Sequence, residues 1–292
     1  MNKKLLGLYG LKWNPFSADL PEEALCTTAK IESFCWRIEN SHVREGGFAL
    51  ITGDPGTGKS VALRVLAGRL SRLVDVTVGV LEHPQSRVAD FYREMGDLFG
   101  VSLTPHNRWC GFKALRERWG SHVETTTMRP VLLIDEAQEM QPAVLSELRI
   151  LSSTHFDSRS ILTVVLSGDE RLTEKLRKEE LLPLGSRIRA RLVLEYATRE
   201  ELQNCLRHQL KAAGNANMMT PELIAALCDH ASGNYRVLMT MAGDLLAAAV
   251  QREIAQIDEK LFFEVFDLHA RATSAKANPQ GQPQRAAARK AR

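Results

Sequence analysis

The stretch GDPGTGKS, Gly53 to Ser60, decides the fold. It satisfies the pattern GxxxxGK[ST] in full. The apolar run FALITG (Phe48 to Gly53) leads into it, and KSVALRVLAGRLSRL, residues 59–73, follows with apolar residues at helical spacing. A buried strand that turns sharply into a helix N-terminus is a grip for phosphate. Gly53, Gly56 and Gly58 allow the turn and bring backbone N–H groups close to the anion. The helix N-terminus adds its dipole. Lys59 is placed to reach the β and γ phosphates, and the Ser60 hydroxyl to ligate Mg²⁺. With Asp54, Pro55, Thr57 and Val61, these residues are expected to hold ATP.

Moving outward, a second apolar run, VLLIDEAQ (Val131 to Gln138), ends in an acid pair. In an open α/β sheet, ligands bind at the carboxyl ends of the strands. Asp135 is therefore expected to serve Mg²⁺, directly or through water, and Glu136 to polarise the attacking water. A further apolar run, ILTVVLSG (Ile161 to Gly168), ends in a polar tip, where Ser167 and Asp169 compete for the role of γ-phosphate sensor. Then GSRIRARL (Gly185 to Leu192) carries Arg187, Arg189 and Arg191 at every second position. Such a series is either a solvated edge or the source of an arginine finger for a neighbouring subunit, with Arg187 the first choice and Arg191 the second. Arg236, in ASGNYRVL (Ala231 to Leu238), opens a helix, where a cation is slightly unfavourable. A γ phosphate would hold it there.

The remaining pattern sets the architecture. VTVGVLEH (Val76 to His83) and RLVLEY (Arg191 to Tyr196) complete five apolar strands. Helical stretches at Val88 to Phe99, Phe112 to Val123, Leu145 to Ser152 and Arg171 to Glu180 separate them. Continuously apolar strands alternating with helices predict an α/β fold with a parallel five-stranded sheet covered on both faces. Pro130 is expected to bound the third strand, and Asn14-Pro15-Phe16 to form a turn. After Tyr196 only helical periodicity remains. Thr198 and Glu201 form a capping box, Thr220-Pro221 opens a second helix, and Arg236 to Arg252 and Asp258 to His269 give two more. The expected organisation is an N-terminal segment (1–45), a nucleotide-binding core (46–196), a small helical lid (197–269) and a disordered basic tail (270–292).

Composition narrows the function classes. The 292 residues carry a net charge of only +3, so affinity for nucleic acid must come from local patches. The five cysteines are scattered without a CxxC pair, which disfavours a zinc site or a disulfide framework and fits a reducing cytosol. No apolar run approaches the ~20 residues of a bilayer span. A cytoplasmic protein without a membrane partner is the expectation.

Together the phosphate loop, acid pair, polar fourth-strand tip, trailing arginine and lid arginine resemble the AAA+ ATPases. Within that class the chain looks like the ExeA-type group. Gly10-Leu11 with Asn14-Pro15-Phe16, then Gly46-Gly47-Phe48 through Gly53, Ile134 to Gln138, Arg187, and Gly233 to Arg236 stand at the group's motifs. Relatives usually carry Gln-Pro where Asp169-Glu170 stands. The resemblance implies a P-loop AAA+ core with a helical lid, Mg²⁺-dependent ATP hydrolysis and self-assembly into a homo-oligomer. It also implies that Pro15 or Phe16 packs near the adenine. The group has two uses: secretion ATPases, and ATPase partners of DDE transposases similar to TniB, TnsC, MuB and IstB. The chain's end soon after the lid, with the basic run Arg271, Lys276, Arg285, Arg289, Lys290 and Arg292, favours the second. The leading expectation is an ATP-dependent oligomer on double-stranded DNA that regulates transposition beside a DDE transposase. Lys113, Arg116, Arg118, Arg87 and Arg93 are candidate phosphate contacts. The alternative is a soluble ExeA-like secretion or assembly ATPase acting on a protein partner. A slow nucleotide-dependent switch is a third reading.

Overall fold

The structure is a computed structural model that describes residues 2–101, 108–154 and 159–266. A five-stranded sheet forms its centre: β1 (Gly47–Gly53), β2 (Val76–Leu81), β3 (Arg129–Ile134), β6 (Thr163–Gly168) and β7 (Ile188–Leu194). The strand order is β2-β3-β6-β1-β7, and every pairing is parallel. The short β4 (Ser153–Thr154) and β5 (Arg159–Ser160) make a separate antiparallel pair. Nothing in the sequence pattern announced that ribbon, because two-residue strands show no periodicity.

Both faces of the sheet are buried, which explains the unbroken apolar runs. In β1, Phe48 and Leu50 point to one face and Ala49 and Ile51 to the other. The first face packs under α5 (Val88–Phe99), α6 (Arg108–Ser121), α7 (Pro142–Ser152), α8 (Glu170–Arg177) and the short α9 (Leu182–Gly185). The second face lies under α2 (Ala29–Arg37), which runs through a π turn into α3 (Val43–Glu45), and under α4 (Lys59–Leu70).

Three boundaries differ from expectation. Pro130 lies inside β3 rather than before it, since the strand begins at Arg129. It sits at the second position, close to the strand start where a missing N–H is best tolerated. Helix α6 begins at Arg108, not Phe112, and closes in a π turn from His122 to Thr126. The fifth strand starts at Ile188, so Arg189 and Arg191 lie on its exposed side and Arg187 just ahead of it.

The lid consists of α10 (Arg199–Ala213), α11 (Pro221–Ala231), α12 (Tyr235–Arg252) and a helix over 259–266. The capping box at its entry is present: Thr198 Oγ1 accepts from Glu201 N–H at 3.2 Å, and Glu201 Oε2 accepts from Thr198 N–H at 2.8 Å. Leu202, Leu206, Leu223, Leu227, Leu238 and Leu245 build its core. The N-terminal segment divides between the two bodies. Helix α1 (Asn2–Tyr9) sends Leu5 and Tyr9 into the lid core, while Leu20 to Val43 pack on the sheet. The basic tail from residue 270 lies outside the described residues.

Candidate nucleotide site

The phosphate loop joins the carboxyl end of β1 to α4. Gly56 and Gly58 take φ of 86° and 101°, the left-handed region that glycine enters without penalty. At Gly53 the constraint is space: a Cβ there would stand 2.4 Å from the Leu194 carbonyl oxygen. Lys59 is 7 % exposed, and its Nζ donates to the carbonyls of Gly53 at 2.8 Å and Asp54 at 3.1 Å. Thr57 Oγ1 donates to Asp54 O at 2.8 Å and ties the loop across its base.

The lid touches this loop directly. Asn234 caps α12 by accepting from Val237 N–H at 3.2 Å, and its Nδ2 donates to Pro55 O at 3.1 Å. Tyr235 N–H donates to Gly56 O at 3.0 Å. One short run, Asn234-Tyr235-Arg236, thus starts the lid's longest helix and clamps the loop. Sequence reasoning singled out Arg236 and passed over Asn234, although an Asn ahead of an apolar helical period is a cap signal.

Between loop, lid and N-terminal segment lies a cavity of about 490 Å³. Thr57, Gly58 and Val61 line its loop side, Phe16 and Leu20 its N-terminal side, and Arg236 its lid side. Phe16 is held there by the Asn14 turn, whose Oδ1 accepts from Phe16 N–H at 3.0 Å. Pro15, the alternative, is buried and does not line the cavity. The exposed Arg236 guanidinium has no carboxylate partner among the described residues.

The acid pair follows β3 as expected. Asp135 is half-buried, and its Oδ1 accepts from Ser167 Oγ–H at 2.8 Å and from Glu136 N–H at 3.0 Å. Its Oδ2 has no hydrogen-bond partner among the described residues. Glu136 is exposed and held at φ 50°, an uncommon conformation for a side-chain-bearing residue. Its Oε2 accepts from Gln138 Nε2, and Gln138 Oε1 accepts from Asp169 N–H at 3.3 Å. The buried Gln138 thus links the exposed glutamate to the tip of β6.

The two sensor candidates at the tip of β6 both have partners within the protein. Asp169 caps α8, its carboxylate accepting from Arg171 N–H at 3.0 Å and from Arg171 Nε at 2.9 Å. Burial pushes its pKa up, but the arginine's hydrogen bond and charge outweigh this, and the carboxyl sits below its ordinary value. It is occupied by its own helix. Ser167 is fully buried with its hydroxyl committed to Asp135. Ser167 thus braces Asp135 directly, and the Asp169 backbone N–H reaches Glu136 through Gln138.

The arginine series lies elsewhere. Ile188 pairs with Phe48 at the start of β1, and Leu194 with Gly53 at its end. Arg187 therefore stands about 20 Å from its own phosphate loop, the length of the strand between them. Its guanidinium donates to Pro183 O at 2.9 Å. It borders a second cavity, about 650 Å³, shared with Arg44, Arg129, Arg159 and Arg189 at the amino ends of the strands. Arg189 pairs with Glu45 and Arg159 with Glu124. Arg191, the second choice, turns to Gly185 O at 3.4 Å on the exposed face of β7.

The proposed DNA contacts fare unevenly. Lys113 pairs with Glu117 and Arg93 with Asp90 on their own helices, and Arg116 lies over the Phe112 ring. Arg87 and Arg118 are exposed.

Sheet order, phosphate loop, acid pair and clamped lid define the P-loop AAA+ fold class. More particularly, residues 42–176 match the family model described as "AAA domain". The chain is similar to general secretion pathway protein A of Aeromonas hydrophila, 30% identical over 248 residues, covering 84% of this chain and 44% of that protein. The chain thus spans less than half the length of that curated relative. Among solved structures it is similar to Cdc6p from Pyrobaculum aerophilum (17% identity, 83% of this chain and 67% of that chain, TM-score 0.67). It is also similar to the Aeropyrum pernix ORC2 protein in its ADPNP-ADP complexes (14%, 86% and 70%, TM-score 0.68). A third likeness is to the Thermotoga maritima RuvB Holliday junction branch migration motor (14%, 87% and 73%, TM-score 0.56). At these identities the structural likeness is one of fold. No helix among the described residues is long and apolar enough to cross a membrane.

Proposed function

We propose that this chain is an ATPase that binds ATP between loop and lid and hydrolyses it at seams between identical subunits. The carrying observation is the placement of Arg187 at the opposite end of the sheet from its own loop. An arginine so placed is out of reach of its own nucleotide, which leaves a neighbour's for a finger role, and the basic cavity around it suits a phosphate chain presented from outside. The AAA-domain match and the similarity to general secretion pathway protein A support the same class.

The residues suit Mg²⁺. The exposed Ser60 hydroxyl on the first turn of α4 and the open Oδ2 of Asp135, just past the end of β3, are hard oxygen donors. They would hold the ion, which when bound would neutralise charge on the β and γ phosphates. Lys59 and the loop N–H groups would bind those phosphates, and Arg236 would meet the γ phosphate from the lid. Glu136, angled by Gln138, would polarise the attacking water. Glu136→Gln tests this: phosphate release should stop while ATP binding persists. Equal turnover in the variant would exclude the assigned chemistry.

For the partner we retain DNA, with regulation of transposition as the leading reading. Related folds include Drosophila ORC bound to DNA and the Aeropyrum pernix ORC1 protein in complex with DNA. Assembly on duplex DNA would require ATP, and a DDE transposase would be the protein partner. Co-sedimentation with duplex DNA at moderate salt, with and without ATP, tests it; no ATP-dependent association counts against it. The similarity to general secretion pathway protein A favours a second reading, a secretion or assembly ATPase acting on a protein.

A further inference from the structure

The second cavity, at the amino ends of the strands, contains a cation that the fold leaves unmatched. Arg129 opens β3, where its backbone N–H donates to Asp75 O at 2.8 Å. The residue is half-buried and borders the cavity. Among the described residues its side chain makes no hydrogen bond and no ion pair. No nitrogen of that guanidinium is sealed from solvent, so a visiting group can reach it. The surroundings offer no counter-charge. Glu45 is the one carboxylate bordering the cavity among the described residues, and Arg189 takes it at 3.4 Å. Arg44, exposed on the same wall, likewise has no ion-pair partner among the described residues. The hydroxyls of Ser160 and Ser186 donate to backbone carbonyls. Arginine cannot shed its proton in a protein, so a partly desolvated guanidinium among like charges is held at a cost. An oxyanion in the cavity reverses that cost.

We propose that Arg129 is a second contact made in trans, binding the phosphates of the neighbouring subunit's nucleotide beside Arg187. This rests on the reading that Arg187 serves that nucleotide. Both arginines stand at the same edge of the sheet, Arg129 at the start of β3 and Arg187 just ahead of β7. Two strands, β6 and β1, lie between β3 and β7, which sets the two backbones about 14 Å apart at ordinary strand spacing. Their long side chains border one cavity from opposite sides. Cations spaced in this way suit a chain of linked phosphates better than a single one. The planar guanidinium fork of Arg129 can take two phosphate oxygens at once, which a lysine ammonium cannot do with the same geometry.

The test mixes full-length chains and measures steady-state hydrolysis of Mg-ATP. A Lys59→Ala chain lends its arginines, and an Arg187→Ala chain holds the nucleotide. Adding Arg129→Gln to the lending chain should cut the activity of the mixture about tenfold or more, the range for one charge-assisted hydrogen bond. Arg129→Lys in its place keeps the charge without the fork and should fall between the two. Adding Arg129→Gln to the Arg187→Ala chain instead should change nothing, because that chain's own Arg129 faces away from the nucleotide it holds. A substitution that merely damages the fold lowers activity from either chain, so equal losses from both overturn the proposal. So does full activity with Arg129→Gln in the lending chain, and in that case the reading of Arg187 stands. A mixture of Lys59→Ala and Arg187→Ala chains that stays inactive overturns the reading of Arg187 as well.

Discussion

Ser167, at the tip of β6, donates its hydroxyl to Asp135 Oδ1 at the end of β3 across 2.8 Å. The two strands are neighbours in parallel register, Ile134 opposite Leu166, so each places its next residue at the same edge. The serine fixes the carboxylate's rotation and leaves Oδ2 without a hydrogen-bond partner among the described residues. Outer partners of this kind typically change activity ten- to a hundredfold when removed. Ser167→Ala should accordingly lower kcat about ten- to a hundredfold with little change in ATP affinity. Steady-state phosphate release set beside equilibrium ATP binding separates the two.

The lid clamp yields a second prediction. A Cβ on Gly56 would stand 2.1 Å from Asn234 Oδ1, at a φ of 86° that disfavours side chains. Gly56→Ala should therefore displace the lid from the loop and abolish ATP binding. Asn234→Asp keeps the acceptor that caps α12 and removes the donor to Pro55. It should weaken ATP binding at unchanged melting temperature, whereas Asn234→Ala should also cost about 1 kcal/mol of stability. Calorimetric melting and ATP titration of the pair distinguish capping from clamping.

Cysteine chemistry reports on the same cavity. Cys26 and Cys205 both line it. The Cys205 thiol hydrogen-bonds Cys26 and holds its pKa below the ordinary value, with burial opposing. Burial instead raises Cys35 and Cys228 to about 11. Iodoacetamide at neutral pH should label Cys26 faster than Cys35 or Cys228, and Mg-ATP should slow that labelling. Peptide mapping by mass spectrometry follows each thiol, with the exposed Cys110 as an unprotected control.

His42 gives the chain a pH dependence unrelated to catalysis. It is 3 % exposed, and neither ring nitrogen has a side-chain partner among the described residues. Burial lowers its pKa, and the charges of Arg37 and Arg189 add to this while Glu45 opposes. The folded state therefore binds this proton less readily than the unfolded chain. The stability so contributed is present above the unfolded pKa of about 6.5 and is lost as pH falls below it. Urea midpoints should fall between pH 7.5 and 5.5, and by less in His42→Phe.

Much of this was legible in the residues. A continuously apolar strand before GDPGTGKS and another before Asp135-Glu136 fixed the sheet class and its working edge, because burial on both faces leaves no polar alternation. The Thr198 and Thr220 caps were legible for a local reason, each satisfying N–H groups within three residues. What stayed hidden depends on contacts between distant residues. Asn234 meets Pro55 across 179 positions, and Gln138 meets Asp169 across 31. The cap that Asp169 places on α8, and the bond from Ser167 to Asp135, were likewise not legible among the two sensor candidates. Helix α1 was passed over because its apolar residues match a face of the lid more than two hundred positions away, as Tyr9 does in donating to Ile254 O.

The central claim is that one subunit supplies Arg187 to the ATP held by its neighbour. Lys59→Ala and Arg187→Ala chains should each be inactive alone, the first for want of a phosphate grip and the second for want of a finger. Mixed together, a Lys59→Ala chain can lend its intact Arg187 to the intact loop of an Arg187→Ala chain. Steady-state ATPase activity of the mixture should rise well above either parent. A mixture no more active than its components, or an Arg187→Ala chain as active as the unmodified protein, would contradict the account.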